Sequence, residues 1–168
     1  PLNALALAAL LAPSASAAPA PAAKADEVAV VSVAGGKLTR KDSKGKSKEL
    51  SSGAALKAGE RVELSAGRAF IRVGTAGHVL VKGRSSFTVG AAGKPGFFLR
   101  LGAVLSVLPS LDERGFSLGT PAAVAAVRGT DFYVEARSPA ETYICTCSGS
   151  VDVSDGTDPQ PKGFPLAS

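Results

Sequence analysis

Short runs of alternating apolar and polar residues, each closed by a glycine turn, constrain the fold of this chain more than any other feature. The segment 58–74, AGERVELSAGRAFIRVG, contains two such runs separated by an Ala-Gly pair. In the second run, Ala69, Ile71 and Val73 alternate with two arginines and a phenylalanine. An apolar residue at every second position predicts a strand with one buried face. Glycine readily takes the positive φ of a tight turn, so the pattern predicts short strands joined by glycine turns.

The same punctuation continues along most of the chain. Its 168 residues include 19 glycines and 11 prolines, and no apolar stripe of helical period reaches a useful length. The pattern predicts two short strands in 75–90, broken at 82–84, and then separate strands at FFLRLG and AVLSVLP. We expect at most one helical turn, near 108–114. The prediction is an all-β domain, a compact β-roll or irregular sandwich of many short strands joined by glycine turns, with little helix.

The N-terminal part differs in composition and predicts export rather than a folded domain. Residues 1–17 combine an apolar run with Ala-Ser-Ala, the pattern of a signal-peptide core and cleavage site, and the run is too short to span a bilayer. We expect this peptide to lack its basic start; the alternative is a disordered Ala/Pro linker. Residues 18–27 are predicted to be a flexible linker, 28–154 the β-domain, and 155–168 a C-terminal tail or the start of a missing segment. The mature protein is expected to be periplasmic or secreted.

An Arg-Gly-Thr tripeptide interrupts an apolar stretch near the end of the predicted domain. In TPAAVAAVRGTDFYVEA, Arg128 and Thr130 share the parity of Phe132, so a straight strand would point the arginine into the core. Because an unpaired buried guanidinium is costly, we expect Gly129 to take a bulge or corner conformation that resets the alternation. Arg128 would then donate to backbone carbonyls, and Thr130 would bond the same turn. The alternative is an arginine presented to an anionic ligand.

The order of these motifs is similar to that of a known family. The segments VSVAGGKLTR, LKAGERVELSAGRAFIRVGTAGHVLV, LRLGAVLSVLP and ETYICTCSGSVDV, with the stretch around Arg-Gly-Thr, resemble the FecR-type domain over residues 28–154. The resemblance implies an all-β domain outside the cytoplasm. In founding members this domain lies behind an inner-membrane helix and relays an iron-uptake signal to a sigma factor. Since neither the cytoplasmic part nor the helix is recognisable here, we expect a freestanding exported FecR-type protein.

Two cysteines form a candidate metal half-site. Cys145 and Cys147 stand at positions i and i+2 of TYICTC, so on a strand they point to one face with Cα atoms about 6.5–7 Å apart, at or past the comfortable limit of a disulfide. Two thiolates on one face can bind a soft metal, with His78 or a second chain completing the site. The alternatives are small buried or edge residues, or an oxidised pair. His78 follows a glycine turn and is itself expected on the surface or at a hairpin rim.

A run of cations occupies the predicted hairpin KLTRKDSKGKSKE. Its basic residues are Lys37, Arg40, Lys41, Lys44, Lys46 and Lys48. Such a run can contact phosphate or an anionic surface, and it is also typical of a solvated hairpin tip. It contains no aromatic residue that would stack on bases, so we expect no nucleic-acid partner.

Three aspartates near the C-terminus, Asp152, Asp155 and Asp158, could offer oxygen ligands to calcium. Their spacing matches no defined calcium loop, and Asp-Gly is foremost a turn signal. We therefore interpret this segment as a turn.

The sequence gives no sign of an enzyme. Its single histidine would have to serve any hydrolytic triad, and it contains no nucleophile elbow, HExxH motif or phosphate-binding glycine loop. We predict a non-enzymatic, exported FecR-type domain that acts as a sensor, scaffold or interaction module of the cell envelope. Its expected partner is an envelope protein or another macromolecule, without a cofactor or a transmembrane segment. The alternative is a metal- or haem-associated redox protein that uses the two cysteines.

Overall fold

The computed structural model describes residues 28–41, 45–90, 96–109, 115–127 and 129–156. Several sequence predictions fall outside these residues. They are the signal peptide and linker, most of the helical turn, nearly all of the C-terminal tail, and the side chains of Arg128, Lys44 and Asp158.

The described residues form thirteen β-strands and no helix, so the prediction of an all-β fold is confirmed. No helix long and apolar enough to cross a membrane occurs among them. The strands are β1 Val28–Ala34, β2 Leu38–Lys41, β3 Ser47–Glu49, β4 Ala55–Leu56, β5 Arg61–Leu64, β6 Arg68–Val73, β7 Gly77–Val89, β8 Gly96–Val107, β9 Phe116–Gly119, β10 Ala123–Val127, β11 Asp131–Ser138, β12 Glu141–Ser148 and β13 Val151–Asp155.

Three two-stranded ribbons, each bent near its middle, organise these strands. In the first ribbon, β1 pairs with β6 on one side of the bend, and β2 pairs with β5 on the other. The bend places residues 35–37 opposite 65–67. There Lys37 N donates to Ser65 Oγ at 2.9 Å and Ser65 N donates to Lys37 O at 3.0 Å. The Ala-Gly turn predicted at 66–67 is therefore one side of a bend, and residues 35–37 form its other side.

The second ribbon is a hairpin of the two longest strands, β7 and β8. β7 runs without a break through Lys82, Gly83 and Arg84, and β8 runs through Gly102, so the prediction of four shorter strands here was wrong. Gly83 and Gly102 have positive φ values of 66° and 103°, and the β7–β8 pairing shifts register between Lys82 and Ser86. These glycines bend the strands without ending them, and β7 pairs with β6 before the bend and with β5 after it.

The third ribbon bends at Gly129 and Thr130 of the Arg-Gly-Thr motif, which are called the corner below. β10 pairs with β13 before the bend, and β11 pairs with β12 after it. At the bend, Gly129 and Gly149 have φ values of 62° and 82°, and the buried Thr130 donates from Oγ1 to the backbone oxygen of Ser150 at 2.9 Å. The chain passes here from one layer of the fold to the other.

Side by side, the ribbons form two layers that are continuous through β7 and β8. The first layer has the order β3-β2-β5-β7-β8-β9-β10-β13, and the second has the order β4-β1-β6-β7-β8-β11-β12. Both layers contribute to one hydrophobic core. Within it the rings of Phe87, Phe97, Phe116 and Phe132 follow one another at centroid distances of 5.1, 5.7 and 6.5 Å. The last contact joins β9 of the first layer to β11 of the second.

The bend of the first ribbon brings two backbones into close contact. A Cβ atom on Gly67 would collide with the carbonyl oxygen of Ala34, and one on Gly36 would collide with the carbonyl oxygen of Ala66. Glycine is therefore required at these positions for its lack of a side chain, in addition to the positive φ of 75° at Gly67.

We expect Gly67→Ala to lower the free energy of unfolding more than Gly59→Ala. The two glycines have similar φ values, 75° and 79°, but nothing lies within 4 Å of a Cβ built on Gly59. The Gly59 variant should therefore show only the conformational cost of about 1–2 kcal/mol, whereas Gly67→Ala also displaces backbone and should cost about 2–4 kcal/mol. Urea denaturation followed by circular dichroism measures both losses. Equal losses would mean that the backbones do not approach closely at this bend.

Candidate functional site

The outer face of the second layer carries a continuous row of apolar side chains. Strand register places Phe70 of β6 beside Leu80 of β7, followed by Leu105 of β8, Tyr133 of β11 and Cys145 of β12. These five residues, called the apolar row below, are half-buried or exposed. Because residues directly opposite on neighbouring strands share a face, the row crosses five strands and ends at the edge of the layer.

Two further hydrophobic side chains widen the row. Val107 is 41% exposed and Tyr143 is 44% exposed. They lie on the same outer face, because Val107 pairs with Asp131 and Tyr143 pairs with Glu135, the residues two before and two after Tyr133. A contiguous apolar area on an exposed sheet face is typical of an interaction surface.

Arg137 forms a charged rim at the β12 end of the row. Its guanidinium lies 5.0 Å from the ring centre of Tyr143, with Nε 3.3 Å from Glu135 Oε2 and Nη1 3.1 Å from Glu141 Oε1. Hydrogen bonds to Glu141 and Glu135 raise the pKa of Arg137. Burial, and next the negative charge of Glu135, raise the pKa of Tyr133. Tyr133 therefore remains a neutral phenol at physiological pH.

The two cysteines proposed as a metal half-site lie exposed on β12 with free thiols. Cys147 stands at an irregularity in the pairing of β12 with β11. His78 lies on β7, and β8 and β11 separate that strand from β12, a distance of about 14 Å at the usual strand spacing. The structure therefore does not bring His78 to Cys145 and Cys147. Among the residues it describes, no group of three or more potential ligand side chains could hold a metal.

The fold divides the predicted basic surface. Lys37 and Lys41 line a cleft on the outer face of the first layer. Lys46 and Lys48 are exposed on the hairpin around β3. Lys44 lies outside the described residues, so the structure brings together only part of the predicted set.

Arg40 is separated from that cleft by the alternation of β2. Its half-buried guanidinium bonds through Nη1 to Glu60 Oε1 at 2.8 Å. Glu60 Oε2 also accepts the backbone N–H of Lys57 at 3.1 Å. Arg40 thus supports the turn that leads into β5.

The aspartates considered for calcium are also separated. Asp152 and Asp155 lie on β13, which pairs regularly with β10 along its whole length. An odd separation on a regular strand places their side chains on opposite faces. The structure does not bring these two carboxylates together.

Comparisons with protein-family models, with curated proteins and with solved structures find no match to this chain. The resemblance to the FecR-type domain therefore stays a prediction. The contacts that we predicted for Arg128 also stay a prediction, because this residue lies outside the described part of the chain.

Sequence reasoning missed the apolar row. One signal was available in Phe70, which stands between two arginines on the polar side of an alternating strand. Its neighbours in the row come from four other strands, and only the register of those strands places them side by side.

We expect Thr130→Val to lower the free energy of unfolding by about 1–2 kcal/mol, because valine keeps the shape of this buried residue but removes its hydrogen bond to Ser150. Thr39→Val is the control. Thr39 is half-buried, and its bond to Glu63 O is longer, at 3.4 Å, so we expect a change within about 0.5 kcal/mol. Thermal and urea unfolding of both variants measure the difference. A Thr130 variant as stable as its parent would show that this bond does not hold the corner.

Proposed function

We propose that this protein is an exported, non-enzymatic FecR-type β-domain that acts by binding, as a sensor, scaffold or interaction module of the cell envelope. In this proposal its contact surface is the edge strand β12 together with the apolar row. The partner is an envelope protein that contributes an extended segment as an additional strand. The character of β12, compared with the other edges of the sheet, carries the proposal.

Within the described residues, the two layers end in four edge strands, β3, β13, β4 and β12. β3 and β4 have three and two residues, and β13 carries two aspartates. β12 has eight residues, and its stretch 142–147, TYICTC, contains no charge, proline or glycine. Proteins usually protect an edge strand by shortening or charging it. β12 lacks both protections over this stretch, which favours addition of a strand from a partner.

The apolar row would give such a partner specificity. Main-chain hydrogen bonds along β12 would supply affinity, and alternate side chains of the added strand would lie on the outer face beside Tyr143 and Cys145. The ion pairs of Arg137 with Glu135 and Glu141 would stand at the rim of this contact. An apolar centre with a charged rim is the usual anatomy of a protein interface.

Export and family membership are supported by the sequence. Residues 1–17 have the pattern of a signal peptide, and the Arg-Gly-Thr motif with its flanking strands resembles the FecR type. The absence of an enzymatic role in this proposal follows from the single histidine and the missing catalytic motifs. A role in signalling would depend on the identity of the partner at β12.

One observation favours the redox alternative: Cys145 and Cys147 are both free and exposed on one strand. We expect purified protein to be folded without stoichiometric metal, because no third ligand lies near this pair within the described residues. Elemental analysis of the wild type and of a Cys145→Ser/Cys147→Ser variant decides the question. Stoichiometric zinc, copper or iron that disappears in the double variant would replace the binding proposal by the redox one.

Photo-crosslinking in cells of the source organism tests the proposed edge. A photoreactive residue at Thr146, exposed on β12, should give a discrete adduct, whereas one at Val153 on β13, which is 57% exposed, should not. Cys145→Lys should abolish the Thr146 adduct, because a charge on the edge opposes strand addition. The matched variant Val153→Lys should leave the adduct unchanged.

Both lysine variants should unfold like the parent protein, because both positions are exposed. This control separates loss of binding from loss of folding. An adduct that survives Cys145→Lys, or one that forms equally from Val153, would contradict the assignment of β12 as the contact edge.

A further inference from the structure

The bend shared by the first and second ribbons gathers cations from distant parts of the chain. A cleft of ≈ 660 Å³ opens beside this bend on the outer face of the first layer. Lys37 and Lys41 line it from the region of β2, Arg84 from the bend of β7, and Glu63 from β5. Three cations and one carboxylate of the described chain therefore line a single cleft.

The described residues neutralise the cations of this cleft only in part. Lys41 Nζ lies 2.8 Å from Glu63 Oε1, so this pair is satisfied. Lys37 Nζ lies 3.3 Å from Glu49 Oε2, but both side chains are well exposed, at 70% and 59%, and such pairs contribute little. Arg84 is exposed and has no hydrogen bond or ion pair with any described residue. Counting only the described residues, the cleft presents one free guanidinium and one weakly held ammonium group.

Two further cations lie at the same bend, on the outer face of the second layer. Arg68 of β6 and Lys82 of β7 are direct cross-strand partners, and both are exposed. A backbone hydrogen bond of 2.8 Å from Gly83 N to Gly67 O holds the two strands together next to this pair. Like charges directly opposite each other destabilise a sheet, and neither side chain has a carboxylate partner within the described residues. Neither residue lines the cleft, so this pair adds positive charge near the cleft without belonging to it.

The hydroxyl groups of the cleft add hydrogen-bond donors. Ser65 Oγ accepts the backbone N–H of Lys37 at 2.9 Å, so its own proton remains available to a ligand. Ser86 also lines the cleft. Leu101, which is 42% exposed, adds an apolar side chain to its lining. None of the described residues that line the cleft is an aromatic on which a nucleic-acid base would stack.

We propose that this cleft binds a ligand carrying phosphate groups, with Arg84 as the principal contact. A guanidinium fork matches the oxygens of a phosphate, and the lysines add charge from a second direction as flexible donors. The cleft volume lies within the usual range of small-molecule sites, about 300–1,000 Å³. The cleft therefore has room for a ligand larger than a single phosphate group. The ligand is either the phosphate-bearing headgroup of a lipid or a free oligophosphate. The site lies on the layer that does not contain the apolar row, so it does not rest on the function proposed above.

Isothermal titration of the full chain with inorganic tripolyphosphate tests the site. At an ionic strength of about 50 mM, where screening is weak, the wild-type protein should bind, and Arg84→Gln should reduce the affinity at least about tenfold. Arg84→Lys should have an intermediate effect, because it keeps the charge and loses the fork. Lys57→Gln, the same loss of one charge at an exposed position that does not line the cleft, should change the affinity less than about twofold.

Sedimentation with vesicles separates the two sources of phosphate. If the ligand is a lipid headgroup, the wild type should sediment with vesicles of phosphatidylcholine containing phosphatidylglycerol, and Arg84→Gln should not. Tripolyphosphate should then compete with the vesicles for binding to the protein. Binding of tripolyphosphate without vesicle binding would assign a free oligophosphate. Both results support the site.

Amide NMR shifts of the unsubstituted protein provide a measurement that does not depend on any variant. Tripolyphosphate should move the signals of residues 37–41, 63–65 and 84–86 more than those of β12. The proposal is overturned if neither probe binds, if Lys57→Gln weakens binding as much as Arg84→Gln, or if the shifts spread evenly over the exposed cations.

Discussion

The whole fold depends on one constraint: a two-stranded ribbon can pass from one layer to the other only where both of its strands bend together. In the first ribbon this brings Gly36 against Ala66 and Gly67 against Ala34, with no room for a Cβ atom on either glycine. Antiparallel pairing continues on both sides of the bend. Because a slip of one residue would reverse every side chain, the register of one layer fixes that of the other. The strands of the described chain therefore behave as a few long, bent ribbons.

The two candidate surfaces follow from this arrangement. In the second layer, β11 pairs directly with β8, so the outward residues of five consecutive strands align into the apolar row and β12 is left as an edge. In the first layer, β9 lies between β8 and β10, and the edge strands there are short or charged. The cations cluster where the first two ribbons bend together, next to the bond between Gly83 and Gly67. The positions of the apolar row and of the cation-lined cleft therefore follow from where the strands bend and where they end.

Local patterns predicted the strands well, and they failed wherever two distant segments determine the result. The alternation around Ala69 and Ile71 predicted the buried face of β6, and both residues are fully buried. Gly83 and Gly102 resembled strand ends, because a sequence does not reveal that a partner on each side keeps a bent strand paired. The cleft and the apolar row could not be predicted, since each combines residues from strands far apart in the chain. Arg84, for example, had no sequence signal connecting it to the lysines of β2.

The β7–β8 hairpin contributes residues to both candidate surfaces, and its bend separates them. Ser85, at 2% exposure, donates to Lys82 O at 2.7 Å, and a Cβ atom on Gly102 would collide with the Ser85 side chain. The bend is therefore packed from both strands. On one side of it the hairpin contributes Leu80 to the apolar row, and on the other it contributes Leu101 to the cleft. A ligand shifts a conformation only if it binds two states with different affinity, and the close packing of Ser85 against Gly102 opposes a second arrangement of this bend. A strand bound at β12 and an anion bound in the cleft should therefore bind independently of each other.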